Sequence, residues 1–315
     1  MALDPLFADR LHFFDELPFA EAIKAYEAPL TKYVSPPVEG EDRVLPGPGG
    51  DIPVRIFRPT ATLSQPHKLP ALVWFHGGGF VNGNIDMNES DVVSRELSHR
   101  AQAVVMTVDY RLVTDTVKFP APQLDGIASL QWLARNASEL GIDERKIFVG
   151  GISAGGGLAA SVAIMDRDMG DNYLAGQLLN CPISHWELPQ FSQELQQKLD
   201  EISPDFGLKR EYVDSNNLYM IDSATGEDVE PYWFAGEVAD LGGLAPAQII
   251  NCEYDTLRAS GERYGAQLLA ANNSVEVLTQ AGVPHAHINR YPADCDQMVE
   301  TLENMVRFMR NTSKA

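Results

Sequence analysis

The run Gly151-Ile152-Ser153-Ala154-Gly155 sets a serine between two glycines, directly after the apolar stretch Ile147–Val149 and before a run of small residues. A serine at a sharp strand-to-helix turn is the setting of an activated nucleophile. Glycines permit the close backbone approach, and the helix N-terminus favours developing negative charge. Upstream, His76-Gly77-Gly78-Gly79-Phe80 follows the apolar stretch Leu72–Phe75. Three consecutive glycines leave amides unobstructed, so the N–H groups of Gly77, Gly78 and Ala154 are the expected donors to a tetrahedral oxyanion. His76 precedes these glycines and reads as a loop-orienting residue. Asp255, just after Ile249–Cys252, offers an acid to orient a base; Glu253 is its nearest rival, and helix capping is its competing role. The base must follow the last strand, where His285 and His287 both stand. Serine, acid and histidine in that chain order, with amide donors nearby, are the parts of acyl transfer to water through a covalent intermediate.

These parts need a scaffold that presents strand ends to one cavity. Short apolar runs at Ala71–Phe75, Ala103–Val108, Ile147–Val149, Leu178–Cys181, Ile249–Cys252 and Val275–Leu278 have the length of buried strands. Helix-length stretches at Glu89–Arg100, Pro122–Glu139, Ala154–Met165 and Thr256–Ala271 alternate with them. The pattern predicts an α/β fold: one domain over 1–315 with a mostly parallel central sheet flanked by helices, and chemistry in the loops that follow strands. Arg43–Leu45 and Ile52–Phe57, around Pro46-Gly47-Pro48-Gly49-Gly50, predict an antiparallel hairpin at one sheet edge. Two short helices are expected between Leu11 and Tyr33, broken or started at Pro18. The stretch from Ser184 to Val229, helix-forming over Phe191–Ile202, inserts ~45 residues where a short crossover suffices. It predicts a helical lid or cap over about 184–229.

Composition limits the partners. The chain has 44 acidic and 24 basic residues, a formal net charge of -20, and no basic run, so no nucleic-acid partner is expected. Such a field mildly favours neutral or apolar substrates. The longest apolar runs are strand-sized, which predicts no stable membrane insertion. The first twenty residues carry Asp4, Asp9, Asp15 and Glu16 and do not read as a secretory leader. Cys181, Cys252 and Cys295 have no metal-type spacing and read as reduced residues of a cytoplasmic protein.

His76–Phe80, Asp109–Leu112, Phe119–Ala121, Gly151–Gly156 and Tyr254–Arg258 resemble, in residues and in order, the bacterial hormone-sensitive-lipase-like esterases of the α/β-hydrolase superfamily. The resemblance runs from about Val54 to Phe308, with a weaker N-terminal part, and it implies that helices of about 1–40 join about 184–229 in forming the cap. It implies an α/β-hydrolase fold, no metal or organic cofactor, small-molecule ester substrates with short to medium acyl groups, and a possible homodimer. It favours Asp255 over Glu253. In the family the base is usually followed by Gly-Phe. Registering His285-Ala286-His287-Ile288 on that pattern puts the base at His285 and His287 at the aromatic position, packed at the pocket rim. Two departures bear on pocket shape more than on reaction class: Ile152 replaces the usual acidic or hydroxyl residue before the nucleophile, and Val113-Thr114-Asp115 replaces Ala-Pro-Glu. Asp109 and Arg111 read as a structural ion pair supporting the oxyanion loop. Two other outcomes of the scaffold stay open: an amide-cleaving enzyme of formamidase type, whose members tend to carry Trp where Phe80 stands, and a non-catalytic small-molecule binding protein, which loses a triad member.

Overall fold

A hairpin opens the sheet because Pro48-Gly49 turns tightly between two extended stretches. The strands β1 (Val38–Gly47) and β2 (Gly50–Pro59) pair antiparallel from Val38↔Pro59 to Gly47↔Gly50. Six further strands follow: β3 (Leu69–Phe75), β4 (Val104–Val108), β5 (Ile142–Ile152), β6 (Leu174–Asn180), β7 (Ala247–Tyr254) and β8 (Val275–Pro284). This computed structural model describes residues 2–60, 68–202, 206–222, 230 and 232–313, the side chains of 19 and 20 excepted. The sheet runs β1-β2-β4-β3-β5-β6-β7-β8, with β2 antiparallel to β4 and every later pairing parallel. Every residue of β4, β6 and β7 is buried. Helices cover both faces of a parallel sheet, so its inner strands read as continuous apolar runs rather than alternating ones.

The helices are α1 (Pro5–Ala8), α2 (His12–Glu16), α3 (Phe19–Glu27), α4 (Asp91–Ala101), α5 (Ala121–Arg135), α6 (Ala154–Asp168), α7 (Gln193–Asp200), α8 (Arg210–Ile221), α9 (Arg258–Ala270) and α10 (Asp296–Asn311). Pro18 stands at the N-cap of α3 and separates it from α2, since proline is tolerated at a helix start and not inside one. The Ser192 side chain accepts the Leu195 N–H at 3.0 Å and so starts α7. Met298, Leu302, Met305 and Met309 form the buried stripe of α10, at helical spacing. Each such side chain contributes about 1.5–3 kcal/mol on burial. The inserted stretch therefore holds α7 and α8, while its residues 203–205 and 223–229 lie outside the described residues.

Candidate active site

The elbow at Ser153 is built by close packing. β5 ends at Ile152, α6 begins at Ala154, and Ser153 between them has φ 57° and ψ −117°. A non-glycine residue at positive φ costs of order 1–3 kcal/mol and persists only where its surroundings fix it. Here the Ser153 N–H donates to Asn180 O at 2.9 Å, and Ser153 O accepts from Gly157 N–H at 3.0 Å and Ile183 N–H at 3.2 Å. The flanking glycines are needed for space: a Cβ on Gly155 would lie 2.2 Å from Phe75 O, and one on Gly151 would lie 2.4 Å from the Gly155 backbone.

The register of β7 and β8 brings the acid to the base. Tyr254 pairs with Pro284, so the next residues, Asp255 and His285, emerge side by side. His285 Nδ1 lies 2.7 Å from Asp255 Oδ2, and His285 Nε2 lies 3.0 Å from Ser153 Oγ. Asp255 Oδ1 accepts the Leu257 N–H at 2.9 Å. Asp255 is 2% exposed. An ionised carboxylate only accepts, so Nδ1 of a neutral His285 must carry the proton and Nε2 is left to accept from Ser153. Burial works to lower the His285 pKa, but the Asp255 carboxylate overrides it and the group lies well above the ordinary histidine value.

The rival residues lie elsewhere. Glu253 Oε2 accepts the Gly282 N–H at 2.6 Å, and Oε1 lies 3.4 Å from Lys198 Nζ. His287 is not at the pocket rim: it is 1% exposed, with Nδ1 3.3 Å from Cys252 Sγ and Nε2 2.8 Å from Thr301 Oγ1 of α10. The chain turns through Ala286 at φ 57° into a short 3-10 turn at His287–Asn289, which sends the second ring into the core. Burial, with the nearby charge of His285, pushes His287 down to about 3.

The loop after β3 departs from expectation at one glycine. The Gly77 N–H is already donated, to Glu89 Oε1 at 2.5 Å. Gly78 and Gly79 line the cavity with Ser153, and Gly78 holds φ 106°. Among the described residues the amides of Gly78, Gly79 and Ala154 meet no acceptor. The ion pair expected between Asp109 and Arg111 is absent. Arg111 instead grips the buried Asp125 of α5, with Nε–Oδ2 at 2.9 Å and Nη2–Oδ1 at 2.8 Å. Asp109 Oδ1 lies 3.9 Å from His76 Nε2. Tyr110, between them in sequence, supports the loop: its hydroxyl donates to His76 O at 2.8 Å and its ring stacks on His76 at 4.3 Å. Burial pushes the His76 pKa down to about 4, so at neutral pH that ring is uncharged.

Ser153 opens into a cavity of about 360 Å³. Ile23 of α3, Tyr212, Val213 and Met220 of α8, and Phe80 and Leu257 give it apolar walls. Asn216 of α8 also donates to Gly79 O at 3.0 Å, tying the inserted stretch to the glycine loop. A larger, more open groove of about 680 Å³ reaches His285 and Asp255 from the side of α7. As for metal donors, the thiols of Cys181 and Cys252 lie with an Asp255 oxygen within 4.8 Å of one another. Both Asp255 oxygens are already taken by His285 and Leu257. Sequence alone does not mark Glu89, Asn289 and Asn216 as site residues, since nothing local separates them from ordinary polar residues.

Residues 72–289 match the model of the alpha/beta hydrolase fold family. The chain is 34% identical over 280 residues to the carboxylesterase NlhH of Mycobacterium tuberculosis, covering 86% of this chain and 83% of that one. It is 32% identical over 297 residues to the esterase LipI of the same organism, covering 91% and 88%. A hyperthermophilic esterase from the archaeon Pyrobaculum calidifontis superposes with a TM-score of 0.80 at 30% identity, covering 99% of both chains. Fold and sequence together define an α/β hydrolase, and the chain belongs to that family. Within it the chain falls among the hormone-sensitive-lipase-like esterases.

Proposed function

We propose that this protein is a serine carboxylic-ester hydrolase that cleaves small-molecule esters with short to medium acyl groups through an acyl-enzyme. The observation that carries the reading is the unbroken path from Asp255 through His285 to Ser153, at 2.7 Å and 3.0 Å. His285 Nε2 takes the Ser153 proton as Oγ attacks the ester carbonyl, and Asp255 stabilises the imidazolium. The amides of Gly78, Gly79 and Ala154 receive the oxyanion; the engaged Gly77 amide does not. Protonated His285 then donates to the leaving alcohol, and the same nitrogen activates the water that frees the acid. No residue in this sequence of steps calls for a cofactor.

Helices α3 and α8 act as the cap, since their side chains wall the cavity that contains Ser153. The apolar lining suits an acyl chain, and the modest volume favours short and medium ones. A cytoplasmic setting is part of the reading, supported by three free cysteines, all buried. No helix among the described residues is long and apolar enough to cross a membrane. A homodimer belongs to the same proposal through the family resemblance, and light scattering of the purified protein tests it.

The test is hydrolysis of p-nitrophenyl acetate, butyrate, octanoate and palmitate by the wild type and by Ser153→Ala. Short and medium esters should turn over and the variant should fall to near background, while fluorophosphonate labels only the wild type. A wild type that neither hydrolyses nor labels overturns the proposal.

A further inference from the structure

Glu89 is a buried carboxyl in the active-site wall that the steps above do not use. It precedes α4, is 3% exposed, and lines the cavity of Ser153 beside His285 and Asn289. Both of its oxygens accept hydrogen bonds from different parts of the site. Oε1 takes the Gly77 N–H of the glycine loop at 2.5 Å, and Oε2 takes Asn289 Nδ2 at 2.7 Å. The backbone doubles the link: Glu89 N–H donates to Asn289 Oδ1 at 3.1 Å, and Asn88 Nδ2 donates to Asn289 O at 3.1 Å. Trp74 Nε1 of β3 fixes the Glu89 carbonyl at 2.8 Å. Asn289 closes the short turn that starts two residues after His285. One side chain therefore joins the strand-β3 loop that carries the oxyanion donors to the segment that carries the base. Ile152, apolar and fully buried, offers that loop no side-chain acceptor from the elbow side.

We propose that Glu89, held by Asn289, is a positioning residue that aims the Gly78 and Gly79 amides at the oxyanion by anchoring the Gly77 amide, and so fixes the oxyanion hole relative to His285. A buried carboxyl is costly unless its oxygens are satisfied, and here each oxygen accepts one N–H. Burial raises its pKa, and the same two donors oppose that rise. An oxyanion hole works by donors fixed before charge develops, so loosening the anchor costs transition-state stabilisation and leaves ground-state binding alone.

The inference rests on the esterase reading, and the test separates the two. Glu89→Ala, Glu89→Gln, Asn289→Ala and the double variant Glu89→Gln/Asn289→Asp are compared with wild type on p-nitrophenyl butyrate. Inhibition by a trifluoromethyl ketone, which forms a tetrahedral adduct on the serine, is measured alongside. Glu89→Ala should lower kcat by about 10- to 100-fold, less than the ~10²–10³ for deleting a donor outright. KM should stay within about twofold, and the ketone should weaken by the same factor as kcat/KM. Asn289→Ala should move the same quantities in the same direction by less. Glu89→Gln alone turns a donor against Asn289 Nδ2; adding Asn289→Asp restores an acceptor there, so the double variant should recover most of the lost kcat. Thermal unfolding of each variant identifies general destabilisation. If Glu89→Ala fails to fold, Asn289→Ala and the double variant carry the test. Unchanged kcat and ketone affinity in these variants, or a double variant no better than Glu89→Gln, overturns the inference and leaves the esterase reading standing. A wild type without hydrolysis or serine labelling overturns both.

Discussion

Asp255→Asn should disable the enzyme by imposing the wrong tautomer on an undisturbed site. Asp255 Oδ1 accepts the Leu257 N–H at 2.9 Å, and Oδ2 faces His285 Nδ1 at 2.7 Å. An asparagine must keep its oxygen on the Leu257 donor, because an amide N–H there would face another N–H. Its NH₂ group then points at Nδ1 and forces that nitrogen to accept. The ring proton moves to Nε2, 3.0 Å from Ser153 Oγ, where an acceptor is needed. The analogous change in the serine-protease template costs roughly 10⁴ in kcat, about 5.4 kcal/mol at about 1.36 kcal/mol per decade. A loss of that order is expected here, with KM for p-nitrophenyl butyrate nearly unchanged. Since the amide fits the same space, the urea midpoint should stay close to wild type. Steady-state kinetics at pH 8 with an equilibrium unfolding curve on the same preparation gives both numbers. A loss of less than tenfold would falsify the assignment of Asp255 as the group that orients His285.

Further outcomes concern pH and packing. Because Asp255 holds the His285 pKa well above the ordinary histidine value, kcat/KM should fall on acidification through a midpoint above ~6.5; a midpoint below that contradicts the pairing. Burial holds His76 and His185 neutral down to about 4 and His287 down to about 3. Unfolding returns each to ~6.5. Below that pH the unfolded chain binds more protons, so stability should drop between about pH 6.5 and 4. Urea midpoints across that range check it, and a flat profile contradicts it. Gly155→Ala drives a Cβ to 2.2 Å from Phe75 O, a backbone atom that cannot swing away. It should cost about 3 kcal/mol, the upper end for overpacking, read as a lowered urea midpoint. Arg111→Ala strips the guanidinium from Asp125, which is 1% exposed. The loss should be about 3 kcal/mol, the low end for a broken buried pair, since the Arg111 N–H still serves Asp125 at 3.0 Å. Arg111→Lys should recover little of it, lacking the two-pronged fit.

The sequence by itself determined the strands, the major helices beside them and the order of the triad candidates. Buried parallel strands must be short apolar runs, and the elbow must be Gly-x-Ser-x-Gly because Gly151 and Gly155 touch backbone. Met298, Leu302, Met305 and Met309 recur at helical intervals, so α10 too is legible in the pattern, although it lies beyond every chemical motif. Wherever a partner lies far along the chain, only the tertiary structure decided. Nothing near Arg111 distinguishes Asp109 from Asp125; folding α5 against the strand end makes the choice. The family register already favours His285 over His287, but that His287 is buried and not at the pocket rim follows only from the fold, because β8 ends opposite Tyr254 and the chain then turns inward. The Gly77 amide looks free in sequence, and Glu89, twelve residues on, takes it. Local patterns fix local backbone, whereas hydrogen-bond partners and burial are settled by which strand ends and helices meet in space.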